Sequence, residues 1–516
     1  MDNNKISRRS FIKAGAVTTA AAGAAPALAH RRRPRKAIII GSGFGGAVSA
    51  LRLAEKGVET LVLERGRFWE NESDNPFPGI FPTIKQPDAR TSWLQGIDPN
   101  TGTPLPKYTG LIERFESERI ATLVGAGVGG GSLVYGGSLL QPKQKPFEDA
   151  FPRFVNYDLF DQYYYPLVRQ MMNAGQIPDD ILASSPYTAM RNYTSNMEAS
   201  GFDVERGFTG FDWDIVRKEL TGEEIPAATI GEFNLCNSNA KNTLGKNYLK
   251  YAQETGKCEI RALHQVANIE EDYRGGYCVH VEKLDDEGNV IDTETLQSDL
   301  VIMAAGSMNT TKLMLKAKRT GSLWRLNRWV GKKWGNNGDK LYLRATAEQD
   351  NIGDQGGPIS MTVFDLDNPI KPVTVQHAPG PGLFPFSGLN HLIMTVPDRL
   401  GRLRYKVKTD ELQILWPEDA ETQSIEAGRL VMDKVNATVG GQQIPLPTID
   451  TTYHPLGGMP IGKATDRFGR VKGYRGLIVA DGSLLHGSAG CANPALTIAA
   501  LVEHNMDFLI NYAHIA

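Results

Sequence analysis

A group of glycines and one glutamate near the start of the chain have the types and spacing to hold a dinucleotide. Gly41, Gly43 and Gly46 stand in the order GxGxxG, with Gly45 between them, and Glu64 follows 18 residues after Gly46. Such a loop offers backbone N–H groups to a pyrophosphate. Gly41 permits the tight turn, Gly43 lets backbone approach phosphate, and Gly46 lets helix pack on strand. A carboxylate at Glu64 accepts from a free ribose 2′-hydroxyl and opposes a 2′-phosphate, so FAD or NAD is expected over NADP. A second glycine cluster runs from Gly125 to Gly137 and includes Gly130, Gly131, Ser132, Tyr135 and Gly136. Ser132 reads as a loop-forming residue, not a nucleophile.

The elements that must position these residues are legible around them. Ala37–Ile40 is an apolar run of strand length, the segment from Ala47 has apolar residues at helical spacing, Gly57 ends it, and Thr60–Leu63 is a second strand. Residues 68–110 are rich in Pro, Asp, Asn and Gly and read as a long surface excursion. Strands are expected at 258–260, 266–270, 277–282 and 300–304, with turns such as Asp285–Asn289 between some of them, and a helix at 310–318. Residues 340–450 alternate short apolar runs with Pro/Gly turns, as an antiparallel sheet would. The last stretch returns to strand, loop and helix: 476–480, Asp481-Gly482, then Pro494 to about Asn511. The fold class expected is α/β (α+β overall). A Rossmann-like cofactor-binding domain takes residues 33–155, 228–330 and 450–516. An inserted substrate-binding domain on an antiparallel sheet takes 156–227 and 331–449.

Composition narrows the class. The 516 residues are 41% hydrophobic and 22% charged with a net charge of −2, which fits a globular protein of more than one domain and gives no electrostatic case for nucleic acid. Cys236, Cys258, Cys278 and Cys491 form no CxxC pair and no metal-ligand pattern, so no metal is expected; one disulfide stays open if the protein is exported. Ser7-Arg8-Arg9-Ser10-Phe11-Ile12-Lys13 precedes a mildly apolar, alanine-rich run that ends in Ala27-Leu28-Ala29. Residues 1–29 therefore read as a twin-arginine signal peptide cleaved near Ala29/His30. Its partner would be the twin-arginine export machinery, and the mature protein would be periplasmic or secreted. This route carries folded proteins and suits a cofactor loaded before transport. The apolar run is too short and weak for a membrane anchor. Arg31–Arg35 is read as a solvated linker.

Several blocks, in order along nearly the whole mature chain, resemble the glucose–methanol–choline (GMC) flavin oxidoreductases. The closest match is their branch of non-covalent bacterial cholesterol oxidases. The blocks are Gly127–Gly137, Leu263-His264-Gln265-Val266, Ala305-Gly306-Ser307, Tyr453-His454-Pro455-Leu456-Gly457-Gly458, residues 462–473, Asp481-Gly482-Ser483 and Asn493-Pro494. The resemblance implies non-covalent FAD. It sets Gly130, Gly131, Ser132, Tyr135 and Gly136 on the flavin loop, Val266 on the adenine side, Gly306 in a second signature, and Asp481 and Gly482 at the ribityl and pyrophosphate region. Asn493, Pro494 and Ala495 would lie at the flavin edge. His454 would lie beside the flavin and the substrate hydroxyl, and His454 and Asn493 would be the catalytic pair.

That pair makes chemical sense. Alcohol oxidation by flavin moves a hydride from carbon and a proton from oxygen. A histidine can accept the proton, and an asparagine amide can orient the hydroxyl or face developing charge. Asn493 also reads as a helix N-cap before Pro494, a role compatible with the first. Nothing marks out His391 or His486. The implied reaction is oxidation of a sterol 3β-hydroxyl to the ketone with O2 reduced to H2O2, with transient membrane-surface contact to reach the substrate.

Two departures qualify the resemblance. Phe384 falls in the substrate pocket where the family carries the glutamate that moves a proton during double-bond isomerisation. Oxidation without coupled isomerisation is therefore expected, unless Asp398 or Glu411 supplies a carboxylate. Tyr135 stands where the closest relatives have a smaller polar residue. The alternatives left open are a GMC oxidase or dehydrogenase for another bulky or long-chain alcohol, and a non-catalytic flavoprotein that binds steroid or lipid.

Overall fold

Four short apolar runs, Lys36–Ile40, Glu59–Leu63, Leu300–Met303 and Leu477–Val479, and the more polar edge segment Cys258–Arg261 come together as one parallel sheet in the computed structural model of the protein. The order across the sheet is 477–479, 300–303, 36–40, 59–63, 258–261. The three central strands are almost entirely buried, as a parallel sheet covered on both faces requires. The structure describes residues 36–69, 77–78, 88–97, 103–345, 355–380, 388–444, 450–513 and 515. The twin-arginine segment and Phe384 lie outside these.

The helix Phe44–Glu55 follows the first glycine loop and is buried on nearly every side, because the helices Tyr248–Glu254 and Pro494–Asn511 pack against it. Lys36–Ile40 thus sits at the centre of a nucleotide-binding layer that draws strands from both ends of the chain. The meander beside it has three strands, His264–Glu271, Tyr277–Leu284 and Val290–Ser298. The third is absent from the sequence expectation. Its residues are Thr, Glu, Asp and Gln with few apolar positions, and most are exposed, so it carries no burial signal. The predicted helix at 310–318 spans Gly306–Thr320.

The antiparallel sheet expected over 340–450 is present in six strands. Its order is Gln442–Ile444, Lys340–Ala345, Gly388–Met394, Val373–His377, Met361–Asp365 and Val204–Arg206. Two features correct the simpler expectation. The helix Thr422–Val439 interrupts the strands and buries Ala427, Gly428, Val431, Met432 and Val435 at helical spacing. The hairpin Gly401–Lys406 and Glu411–Leu415 leaves this sheet and pairs instead with Lys332–Gly335, which pairs in turn with Leu456–Gly458. A third small sheet joins Asp450–Thr452 to Ile120–Gly125. The excursion over 68–110 is also less superficial than expected: Trp69, Phe77 and Trp93 are buried. Among the described residues no helix is long and apolar enough to cross a membrane.

Candidate active site

In a parallel sheet the loops that follow the strands share one edge, and here that edge gathers the Gly41 loop, Glu64, the segment Ala304–Gly306 and the segment Ala480–Gly482. Gly41 takes φ +98°, and a Cβ there would strike the Ala304 carbonyl at 2.4 Å. Gly46 is closed by the Gly41 carbonyl at 2.1 Å. Gly45, read from sequence as a cofactor contact, is also a packing contact: a Cβ would lie 1.6 Å from the Ala480 carbonyl oxygen. The turn and packing roles thus fall to three glycines, and three others stay open. A Cβ on Gly43 would meet nothing nearer than Gly130 Cα at 4.0 Å, and Gly131 and Gly306 have nothing within 4 Å. These open faces, with a helix N-terminus that has no side-chain cap and no acidic residue in its first turn, suit a phosphate-bearing cofactor.

Glu64 is buried at the heart of this edge. Its Oε2 accepts from the Ser42 N–H at 3.0 Å and the Ser42 hydroxyl at 2.7 Å, and its Oε1 accepts from the Gly66 N–H at 3.0 Å. The Ser42 hydroxyl also accepts from the Gly129 N–H at 3.0 Å, so it ties the two glycine clusters together. Val266 is buried on the strand that leaves Glu64's side, where the His264 N–H donates to the Glu64 carbonyl. Asp481 accepts four hydrogen bonds, from the Ser483 N–H and hydroxyl and from the Gly306 N–H and the Thr310 hydroxyl. Burial pushes its carboxyl upward against those donors. The carboxylate staples the entry of the helix Gly306–Thr320 to the last strand beside open Gly306, and Gly482 begins the turn that follows. The Ser132 hydroxyl donates to the Gly129 carbonyl at 2.7 Å and accepts from the Leu244 N–H at 3.0 Å, a loop-forming role. Tyr135 donates to the Asn242 carbonyl at 3.0 Å and sits edge-on to Phe44, and its neighbour Gly136 packs on Ile359.

His454 follows the strand Asp450–Thr452 and keeps a partly exposed ring. Its backbone N–H donates to the Thr452 hydroxyl at 2.9 Å, and that hydroxyl donates to Asp339 Oδ2 at 2.7 Å. His454 Nδ1 lies 2.8 Å from the same Asp339 oxygen, a close contact bent away from hydrogen-bond alignment. Asn493 occupies the N-cap position of the helix Pro494–Asn511 in extended backbone, and Ala495 is buried in its first turn. The capping role expected of its side chain is not made. Asn493 Oδ1 accepts instead from the Ser138 hydroxyl at 2.9 Å, and the Gln376 amide donates to Ser138 at 3.3 Å. The Asn493 amide nitrogen has no partner among the described residues. Asn337 Nδ2 donates to the Ala492 carbonyl at 3.0 Å and to Asp339 Oδ1 at 3.3 Å, so the carboxylate beside His454 is tied to the backbone just before Asn493, while the Asn493 side chain belongs to a separate set with Ser138 and Gln376.

Ala492 also belongs to a buried apolar cluster with Leu140, Ala378, Leu392 and Met394, flanked by Leu341, Ile359 and Phe364. Strand register sets Thr362, Gln376, Leu392 and Leu341 in one row across the six-stranded sheet, and Phe364, Thr374 and Met394 in the next. One sheet face thus forms a wall beside Asn493 in which Leu341, Leu392, Phe364 and Met394 are interrupted by Thr362, Gln376 and Thr374. His391 is buried within this sheet beside His377, and His486 is engaged with the Ile461 carbonyl. Asp398 is paired with Lys371, and Glu411 is exposed on the hairpin. Sequence reasoning missed Asp339, Ser42, Ser138 and Gln376. The polar run Gly335-Asn336-Asn337-Gly338-Asp339, ahead of a strand, was the one local signal for the first.

The fold and this site define a flavoprotein oxidoreductase. The sequence matches the description "GMC oxidoreductase" over residues 11–318, more than half of the chain, and again over 425–501, with "GMC oxidoreductase, C-terminal" over 337–445. The chain belongs to the GMC oxidoreductase family, whose members bind FAD. It is 25% identical to a cholesterol oxidase of Acinetobacter baumannii, over 92% of this chain and 94% of that one. It is 26% identical to a cholesterol oxidase of Mycobacterium tuberculosis, over 90% and 89%. A long-chain-alcohol oxidase of Arabidopsis thaliana is 23% identical over 89% of this chain and 66% of its own length. Among solved structures, a fungal aryl-alcohol oxidase superposes with a TM-score of 0.63 over 94% of this chain and 100% of that one at 15% identity. The pyridoxine 4-oxidase of Mesorbium loti superposes with 0.61 over 93% and 99%, also at 15%. Both superpositions support the fold.

Proposed function

We propose that this protein is an exported, FAD-dependent alcohol oxidase that oxidises the 3β-hydroxyl of a sterol to a ketone and passes the electrons to O2. The observation that carries the reading is the link from the carboxylate beside His454 through Asn337 to the backbone just before Asn493, in a chain similar to two bacterial cholesterol oxidases along about nine-tenths of its length. When bound, the flavin supplies the hydride acceptor. The backbone of the Gly41 and Gly130 loops, Gly306 and the helix at Phe44 would hold FAD non-covalently, with Glu64 toward its ribose. His454 accepts the hydroxyl proton, and Asn493, its amide nitrogen unpartnered, orients the hydroxyl oxygen. The apolar side chains of the sheet wall take the hydrocarbon body of the substrate and keep water from the reacting carbon. With Phe384 in place of a carboxylate, the product is the unconjugated ketone.

The test is anaerobic mixing of the yellow protein with micellar cholesterol, followed by admission of oxygen. Flavin bleaching, then reoxidation with peroxide and an unconjugated ketone, is the expected result. His454→Gln should slow bleaching by ~10²–10⁴-fold with flavin content unchanged. A flavin that no sterol bleaches would overturn the substrate assignment. In that case the similarity to a long-chain-alcohol oxidase favours a second reading, an oxidase or dehydrogenase for another bulky or long-chain alcohol.

A further inference from the structure

We infer that Asp339 is the positioning residue for His454: it fixes the ring as the tautomer that carries its proton on Nδ1, leaving Nε2 bare for the hydroxyl. The inference rests on the reading of His454 as proton acceptor and adds what makes it one. Asp339 is buried, and both of its oxygens are engaged. Oδ2 takes the Thr452 hydroxyl at 2.7 Å and lies 2.8 Å from His454 Nδ1; Oδ1 takes Asn337 Nδ2 at 3.3 Å. Asn337 is itself fully buried and held at φ +63° between the Ala489 N–H, which donates to its Oδ1 at 2.8 Å, and the Ala492 carbonyl. The carboxylate is therefore fixed on a frame before the imidazole meets it. Thr452 sets the backbone of His454 from the same hydroxyl that binds Asp339, so ring and carboxylate are placed by one group.

The chemistry follows. An acceptor oxygen 2.8 Å from Nδ1, although bent from hydrogen-bond alignment, is attracted to Nδ1–H and repelled by a bare Nδ1 lone pair, so the neutral ring presents its lone pair at Nε2. As the alcohol is oxidised, its O–H bond breaks and an Nε2–H bond forms on His454; bound FAD would supply the acceptor for the hydride. The imidazolium that results lies against the Asp339 carboxylate, which stabilises it. The other charged groups at this loop are engaged elsewhere: Lys340 with Glu421 at 2.9 Å and Asp450 at 2.6 Å. Tyr453, exposed beside His454 in the chain, lies within electrostatic reach of Asp339 and of Arg114, which is itself paired with Glu116 at 2.8 Å.

The experiment has two arms on the FAD-loaded protein. The first follows anaerobic flavin reduction against pH for wild type, Asp339→Asn and Asp339→Glu, with cholesterol as substrate. Asp339→Asn should lower the plateau rate by ~10²-fold, within the range for general-base catalysis, with little change in substrate affinity. It should also move the rising limb to lower pH, because the imidazolium has lost its counter-charge; Asp339→Glu should restore part of both. A lower plateau with an unmoved limb would mean a purely structural role, and an unchanged profile would mean none; either overturns the inference. The second arm reads the imidazole nitrogens of His454 by ¹⁵N NMR, assigned against His454→Gln, and needs neither turnover nor an Asp339 variant that folds. An Nδ1–H tautomer at neutral pH is expected, and an Nε2–H tautomer would overturn the proposal. If no alcohol bleaches the flavin, the functional reading fails while this arm still decides the role of Asp339.

Discussion

Asn493 shows how one side chain can be read correctly for position and incompletely for contact. Its place before Pro494 marks a helix start, yet its oxygen accepts from Ser138 and leaves the helix uncapped. The Gln376 amide donates to the same Ser138 hydroxyl, which favours Ser138 as donor to Asn493 and turns the Asn493 NH2 group outward. Ser138→Ala should therefore free the amide to rotate. The expected outcome is ~10-fold slower flavin reduction at a stability cost of about 1 kcal/mol, the worth of one buried hydrogen bond. Stopped-flow reduction and denaturant unfolding check the two separately; an unchanged reduction rate would remove Ser138 from the site. At this scale the sequence marks the residues inside family blocks, His454 and Asn493. It hides Ser138, Ser42 and Asp339, whose partners lie far away in the chain and whose types are those of ordinary loop residues.

The element we propose to carry the cofactor is a set of loop ends, and its glycines divide into two kinds. Gly45 has the Ala480 carbonyl at 1.6 Å from where a Cβ would be, so the helix Phe44–Glu55 and the last strand could not close over a methyl group. Gly131 has open space. Gly45→Ala should give protein that fails to accumulate in folded form. Gly131→Ala should leave the thermal stability of the FAD-free protein near wild type while weakening FAD binding, because the methyl would fill the open space proposed for the cofactor. Thermal scans with and without added FAD distinguish the two, and a Gly131→Ala protein with unchanged FAD affinity would move the cofactor away from this loop. The spacing GxGxxG announces a cradle in the sequence but cannot say which glycine faces ligand and which faces protein. That depends on where a strand some 430 residues later comes to rest. The same limit explains Val290–Ser298, an exposed strand held by its ladder, and the helix Thr422–Val439, whose apolar spacing was present but lay among strands.

At the scale of the whole molecule, the central sheet takes strands from residue 36 to residue 479, so it closes only when the end of the chain is present. That order of events fits our proposal of export in the folded state with flavin already bound. It also makes the protein depend on packing between distant segments, and two histidines show where that packing is sensitive to acid. His377 and His391 face one another across adjacent strands of the six-stranded sheet, both fully buried, with Tyr193 against each ring. No hydrogen-bond partner of His377 lies among the described residues, and His391 Nδ1 meets the Tyr342 carbonyl at 3.2 Å. Burial lowers His377 to about 3 and His391 to about 4, and for His377 the second histidine adds to the effect. A group whose folded value is depressed below its unfolded one favours unfolding as protons are added. Stability is therefore intact above the unfolded value near pH 6.5 and declines below it, until the native state itself begins to take up protons near pH 4. At pH 5 each ring removes roughly 2 kcal/mol, a large share of the stability of an ordinary domain. Replacing the pair with His377→Gln and His391→Phe should lower stability at pH 8 yet flatten its fall between pH 6.5 and 5. Denaturant midpoints for both proteins across that range measure the difference. A double variant whose stability falls as steeply as wild type would assign the acid sensitivity to carboxylates elsewhere.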